Sequence, residues 1–218
     1  MKREEIFRNT NKIYLGWQGY ASDKLLRFAT RYAGKRILDV GCSIGDYCLE
    51  LSSRRFDCVG VDYNEEYVKE AKSRGVKAYV MDAYNLGFED KSFDTVLLFE
   101  VLEHVEKPEL ALLEAKRLAR RNILITTPNF SEYERLASVK LTYYDVLTED
   151  HVIFFTEEEL LNLCKKVSSR CTVIKKEPIY MHRFLPLCLR KPISILYRTK
   201  LLKPVIYRRL YALVWLEG

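Results

Sequence analysis

The stretch Ile37-Leu38-Asp39-Val40-Gly41-Cys42-Ser43-Ile44-Gly45-Asp46 reads as a buried strand that ends in an acid and two glycines, with a helix entered at Tyr47. Gly41 and Gly45 let the main chain pass close to a ligand in torsions that a side chain disfavours. The helix behind them aims unpaired N–H groups at the turn, which suits a nucleotide-like ligand. Asp39 narrows the choice. A dinucleotide fingerprint of the form G-x-G-x-x-G needs no acid two residues before its first glycine. A carboxylate there repels a pyrophosphate and favours a cation, so the stretch predicts a nucleoside ligand that carries positive charge.

Three more apolar runs repeat the design. Cys58-Val59-Gly60-Val61-Asp62 ends in an acid at the spacing where a carboxylate accepts both ribose hydroxyls. Val76-Lys77-Ala78-Tyr79-Val80-Met81-Asp82 ends in an acid placed for an adenine amino group. Ser92-Phe93-Asp94-Thr95-Val96-Leu97-Leu98-Phe99-Glu100 follows, and then Val101-Leu102-Glu103-His104-Val105. Acids at successive strand ends line one edge of a parallel sheet, which is where open α/β sheets bind ligands. S-adenosylmethionine, with its sulfonium and ammonium, fits such an edge. Taken together, these runs resemble the class I S-adenosylmethionine-dependent methyltransferases across residues 30 to 180. They look most like the branch of ubiquinone-biosynthesis-type O-methyltransferases and small-molecule and glycan methyltransferases.

That resemblance implies an α/β fold: a doubly wound seven-stranded sheet, Rossmann-like, mostly parallel with an antiparallel last strand. It implies S-adenosyl-L-methionine as the cofactor, held by Asp39, Gly41, Cys42, Ser43, Gly45, Asp62, Tyr63, Asp82, Ala83 and Glu100. Ser43 departs from the pattern, because the family usually has a third glycine there; serine is small enough to fit. A nicotinamide-dependent dehydrogenase and a non-catalytic cofactor-binding subunit are the competing readings. The ordered strand-end acids count against both.

A chain of 218 residues suffices for one well-cored α/β domain and is short for two. Its 48% hydrophobic and 30% charged residues are ordinary for a globular protein. The six cysteines, at 42, 48, 58, 164, 171 and 188, form no C-x-x-C pair. Cys42, Cys48 and Cys58 fall in or beside core strands, which predicts buried reduced thiols in a cytosolic protein. No apolar run follows Met1-Lys2-Arg3-Glu4-Glu5, which argues against a signal peptide. No stretch is long and apolar enough to span a membrane, so a cytoplasmic location is expected. The net charge of +6 is uneven: residues 181 to 218 hold eight Lys or Arg against one acid, Glu217, while the first 180 hold 28 basic and 29 acidic residues.

Residues 1 to 33 form a helical cover in this reading, in which Tyr14 or Tyr20 closes over the cofactor. Residues 34 to 180 form the cofactor-binding core, with a helix stop at Gly75, a helix opened by Pro108 and a fifth strand at Ile123-Leu124-Ile125-Thr126. Residues 130 to 150 make a long polar connection bearing Tyr133, Tyr143 and Tyr144, as functional loops often do. Thr156 caps the next helix, with Glu159 completing a capping box. Residues 181 to 209 form a basic, apolar insertion broken into short helices by Pro186, Pro192 and Pro204, and residues 210 to 217 supply the last strand.

Methyl transfer from a sulfonium is an in-line displacement, accelerated largely by holding donor and acceptor together. A base is needed only when the acceptor must lose a proton. His104, just past the fourth strand, is the candidate catalytic base. Glu100, Glu103, His104 and His151 could alternatively hold a divalent metal, although imidazoles disfavour Mg²⁺. A similar set occurs in metal-dependent small-RNA 2′-O-methyltransferases and in some ubiquinone-type enzymes. The insertion mixes Arg183, Arg190, Lys191, Arg198, Lys200, Lys203, Arg208 and Arg209 with large apolar residues. That mixture suits an anionic membrane surface or a lipid-linked substrate, or else a lid over a small-molecule substrate. Nucleic acid is disfavoured because the sheet body is not basic. The expectation is a cytoplasmic O-methyltransferase of a small or lipid-linked acceptor, peripheral to the membrane if the insertion docks there. The runner-up among enzymes is a metal-dependent RNA 2′-O-methyltransferase that uses Glu100, Glu103, His104 and His151.

Overall fold

A computed structural model describes residues 21–131, 151–180, 187–204 and 206–217. Helix α1 (Asp23–Tyr32) precedes an alternating series: β1 (Arg36–Val40), α2 (Asp46–Ser53), β2 (Asp57–Asp62), α3 (Glu65–Ser73) and β3 (Lys77–Val80). Then come β4 (Phe93–Phe99), a short 3-10 turn (Leu102–His104), α4 (Pro108–Leu118), β5 (Ala119–Pro128), α5 (Glu157–Lys165), β6 (Cys171–Ile179), α6 (Leu187–Arg198) and β7 (Ile206–Trp215). The strands form one seven-stranded sheet in the order β3-β2-β1-β4-β5-β7-β6. All pairs from β3 to β5 are parallel, and β7 runs antiparallel to both β5 and β6.

The continuous apolar strands are explained by burial on both faces. Leu38, Val40, Val96, Leu98, Ile123 and Ile125 pack with Leu112 and Leu118 of α4 and Leu160 of α5. Their neighbours Ile37, Leu97, Phe99 and Leu124 pack on the opposite face with Leu25 and Phe28 of α1, Leu51 of α2 and Val68 of α3. Local signals bound the helices, at Gly75 and Thr156 where the sequence predicts them and also at Asn64. Asn64 accepts from the Glu66 and Tyr67 N–H groups to start α3, and Gly75 follows its last turn with φ +89°. Thr156 and Glu159 form a reciprocal capping box on α5.

Several expectations change. β7 begins at Ile206 rather than Leu210, because Arg208 and Arg209 belong to the strand and not to the insertion. Helix α6 runs through Pro192. The proline removes one helical donor near the exposed start of the helix, where the freed Cys188 carbonyl can meet water. Cys48 and Cys58 are joined as a disulfide, with Cα atoms 5.2 Å apart, because α2 crosses the face of β2. The reduced-thiol expectation holds for Cys42 alone of the three. Tyr14, Tyr20, Tyr133, Tyr143 and Tyr144 lie outside the described residues. Among the described residues, no helix is long and apolar enough to cross a membrane.

Candidate active site

The carboxyl edge of β1 and β2 is built by its glycine turn. Gly41 has φ +73°, and a Cβ there would meet the Val101 side chain at 2.7 Å. Gly45 has φ +84°, and a Cβ there would meet Val76 at 2.7 Å. Both positions therefore need glycine. Ser43 takes φ +49°, the left-handed torsion that makes a third glycine usual at this place. The Gly41 and Cys42 N–H groups both donate to the Val61 carbonyl, at 2.8 and 3.0 Å, binding the turn to β2. Cys42 contributes main chain only, since its thiol is packed in the core.

Asp62 ties the turn to the next one: Oδ2 accepts from Ser43 N–H at 2.8 Å and Oδ1 from Asn64 N–H at 2.9 Å. Burial nevertheless pushes its carboxyl above the usual range. Asp82 holds its own turn by accepting from Tyr84 N–H at 3.0 Å. Tyr63 beside Asp62 is exposed, and Ala83 is partly buried against the core. Asp39 is only 2% exposed. Burial, and secondarily the charge of Asp62, pushes its carboxyl up to about 8. A buried acid with that property gains most from a nearby positive charge. The glycine cradle, the buried acid and the strand-end Asp62 fit S-adenosylmethionine.

The β4–β5 side is built differently. Glu100 leaves β4 with φ +54°, and Glu177 on β6 has φ +59°. Such torsions in residues with side chains are costly and collect at functional sites. Both residues grip Arg209: its Nε donates to Glu100 Oε2 at 3.1 Å and its Nη1 to Glu177 Oε1 at 2.9 Å. Tyr211 donates to the same Glu177 oxygen at 2.9 Å, and Lys24 of α1 pairs with Glu177 Oε2 at 3.3 Å. Burial alone would push the Arg209 guanidinium down, but the two carboxylates outweigh it and hold it charged. Tyr47 of α2 lies within the field of this group and of Asp39, and burial pushes its hydroxyl up to about 12.

Beside this network lies a set of poorly satisfied buried polar atoms: among the described residues Glu100 Oε1 and the Thr126 hydroxyl have no hydrogen-bond partner, and the Glu103 carboxyl has only the Thr127 hydroxyl beside it. Such atoms are rare in folded proteins, so a concentration of them marks a place where something polar binds. Glu103 is 1% exposed. Burial first, and then the charge of Glu100, pushes its carboxyl well above the usual range. Its main-chain carbonyl accepts from Val152 and Ile153 N–H at 2.8 and 3.2 Å. That clamp brings His151 to His104, with ring centroids 4.8 Å apart. Ligand atoms of Glu103, His104 and His151 all lie within 4.8 Å of one another. This set could hold a divalent ion, and two imidazoles favour a transition metal over Mg²⁺. Glu100 stands outside this group among the described residues, and one of its oxygens accepts from Arg209.

Sequence reasoning missed Arg209, Glu177, Tyr211, Tyr47, Thr126 and Thr127. The one available signal was Glu177, the last acid before a long acid-free run.

Residues 14–167 match the family described as a methyltransferase domain, and the chain belongs to that family. It carries the fold with which class I methyltransferases bind S-adenosylmethionine. It is 35% identical over 111 residues to norajmaline N-methyltransferase of Rauvolfia serpentina, a match covering 44% of this chain and 38% of that one. It is 33% identical over 94 residues to the ubiquinone biosynthesis O-methyltransferase of Hahella chejuensis, covering 40% of each. These matches span less than half the length of either relative. A SAM-dependent methyltransferase from Archaeoglobus fulgidus has the same fold, with TM-score 0.64 and 18% identity over 88% of this chain and 90% of that one.

Proposed function

We propose that this protein transfers a methyl group from S-adenosylmethionine to a hydroxyl of a small or lipid-linked acceptor. The observation that carries the reading is the buried, poorly satisfied Glu103 carboxyl beside paired His104 and His151, next to the cofactor edge. Asp39, Gly41, Ser43, Gly45, Asp62 and Asp82 would hold the cofactor, which supplies an activated methyl group. The chain's own task is then to position the acceptor and manage one proton. His104 takes the hydroxyl proton, as an imidazole does near neutral pH. Glu103 stabilises the imidazolium that results, and Arg209 keeps Glu100 fixed at the rim. The clustered carboxylates disfavour a polyanionic acceptor such as RNA.

A second reading has one observation in its favour. The 4.8 Å grouping of Glu103, His104 and His151 would also suit a divalent ion that acidifies the acceptor hydroxyl. Turnover with a panel of alcohols and amines, with and without a chelator, separates the two. With His104 as a lone base, turnover survives chelation, and His104→Ala lowers it by about a hundredfold or more while leaving cofactor affinity intact. Loss of turnover on chelation, with His151→Ala equally damaging, selects the metal. Full activity of chelated His104→Ala overturns both, and methylation of amines alone overturns the oxygen assignment.

A further inference from the structure

The segment between β6 and β7 is turned inside out for a surface helix. Five of the thirteen large apolar side chains exposed among the described residues fall within its short span: Leu189, Ile195, Leu196, Leu201 and Leu202. Leu201 is 75% exposed. On α6, Leu189, Pro192, Ile195 and Leu196 are exposed, whereas Ile193, Ser194 and Tyr197 are partly buried. Tyr197 meets Tyr180 edge-on at 5.2 Å. Residues three, four and seven apart share a helix face, so α6 presents an apolar stripe to the outside, where an ordinary surface helix is polar. Leu202 N–H donates to Leu196 O at 3.0 Å, folding the tip back against that helix. Lys191, Arg198, Lys200 and Lys203 are exposed around the stripe. From residue 178 to residue 216 there is no Asp or Glu.

We propose that α6 and the Leu201–Leu202 tip dock this protein on an anionic lipid bilayer, lying in the interface rather than crossing it. The proposal deepens the lipid-linked reading above and rests on that reading only for what a docked enzyme would methylate. The apolar stripe supplies the inserted face, and the surrounding lysines and arginine supply the attraction to anionic headgroups. The acid-free run means that no carboxylate of this segment itself repels those headgroups. Exposed aliphatic side chains have no use on a polynucleotide, whose single strands are bound by basic grooves and stacking aromatics. The docking element also joins the body at the acceptor edge. Asn129 at the end of β5 donates its N–H to the Arg208 carbonyl at 2.9 Å, and the next residue, Arg209, grips Glu100. A lipid-anchored acceptor entering from the bilayer would thus arrive beside Glu100 and Glu103.

Sedimentation of the full chain with vesicles tests this. Protein should pellet with phosphatidylglycerol–phosphatidylcholine vesicles at low salt, ignore phosphatidylcholine alone, and be released as salt screens the surface. The triple variant Lys191→Glu, Arg198→Glu, Lys200→Glu should lower partitioning by about a hundredfold or more, since each charge contributes about fivefold. Ile195→Asn with Leu201→Asn should lower it by about tenfold, because the apolar face is lost while the charge stays. Calorimetry with S-adenosylmethionine should give wild-type affinity for every variant, which separates lost docking from lost folding. No pelleting at low salt, indifference to both sets of substitutions, or displacement by an equal weight of tRNA would each overturn the proposal. The vesicle assay contains no acceptor, so an error about the methylated group leaves its outcome unchanged.

Discussion

On the β2–β3 side of the site, the carboxylates are held by main-chain N–H groups: Asp62 by Ser43 of the glycine turn and by Asn64 of its own turn, Asp82 by Tyr84. On the β4–β5 side, among the described residues, one oxygen of Glu100 and the Thr126 hydroxyl are buried without a partner, and the buried Glu103 carboxyl has only the Thr127 hydroxyl beside it. The first arrangement is complete before any ligand arrives, because main-chain hydrogen bonds fix it, two of them within a turn and one from the neighbouring glycine turn. The second is incomplete, and each stranded polar group costs about 1–3 kcal/mol. A fold keeps such a cost where a bound molecule removes it. The cofactor edge is therefore a rigid mould, and the acceptor edge is where the protein gives up stability for chemistry.

The largest effect should come from disturbing the mould. Asp62→Ala removes the carboxylate assigned to the ribose and the anchor of Ser43. Affinity for S-adenosylmethionine should fall by about 3 kcal/mol, roughly a hundredfold, as read by calorimetry. NAD should give no thermal shift with the wild-type protein. Unchanged affinity in the variant would erase the contrast between the two edges.

The acceptor edge should answer in the opposite sense. Glu103→Met replaces a buried, poorly satisfied carboxyl by an apolar chain of similar size. Denaturant unfolding should show a gain of about 1–3 kcal/mol together with loss of turnover. A destabilised variant would mean that the carboxyl supports the fold after all.

The smallest effect is a proton. With its carboxyl raised to about 8, Asp39 is mostly neutral at pH 7, and a cationic cofactor favours its ionised form. Binding at pH 7 should therefore release close to one proton, read by calorimetry in buffers of different ionisation heat, and Asp39→Asn should abolish the release. The sign for stability follows from the same shift. A carboxyl whose folded value lies above its unfolded one stabilises the folded state at low pH and loses that contribution as pH rises through about 8. The ligand-free melting temperature should accordingly fall more steeply towards pH 8 in the wild type than in Asp39→Asn.

The legibility of the sequence divides along the same line. Asp39, Gly41, Gly45 and Asp62 could be read because strand period, turn glycines and helix caps are local properties, and the Thr156 capping box was readable for the same reason. Arg209 was not. Its partners Glu100 and Glu177 lie 109 and 32 positions away, and nothing in local periodicity distinguishes a guanidinium inside a strand from one on a basic surface. That ambiguity also misplaced the start of β7 by four residues. Cys48 and Cys58 failed differently: their pairing depends on how α2 crosses β2, a tertiary fact that spacing alone does not contain. Glu103, His104 and His151 lie between the extremes. Their chemistry was readable, but which of the two carboxylates stands with the imidazoles depended on how the chain leaves β4.

The position of β7 also bears on how the molecule is made. It follows every other strand in the chain, yet it lies inside the sheet, between β5 and β6. Until residues 206–215 have left the ribosome, β5 lacks its outer neighbour and β6 has no strand to pair with. At about 5–20 residues per second, the stretch from the end of β6 to the end of β7 takes a few seconds to emerge. During that interval two strands rich in apolar residues present bare hydrogen-bonding edges, the usual route to mispairing between nascent chains. The acid-free stretch that delays β7 is also its most positively charged stretch. Mutual repulsion between neighbouring chains then protects the unfinished sheet while it waits for its inner strand.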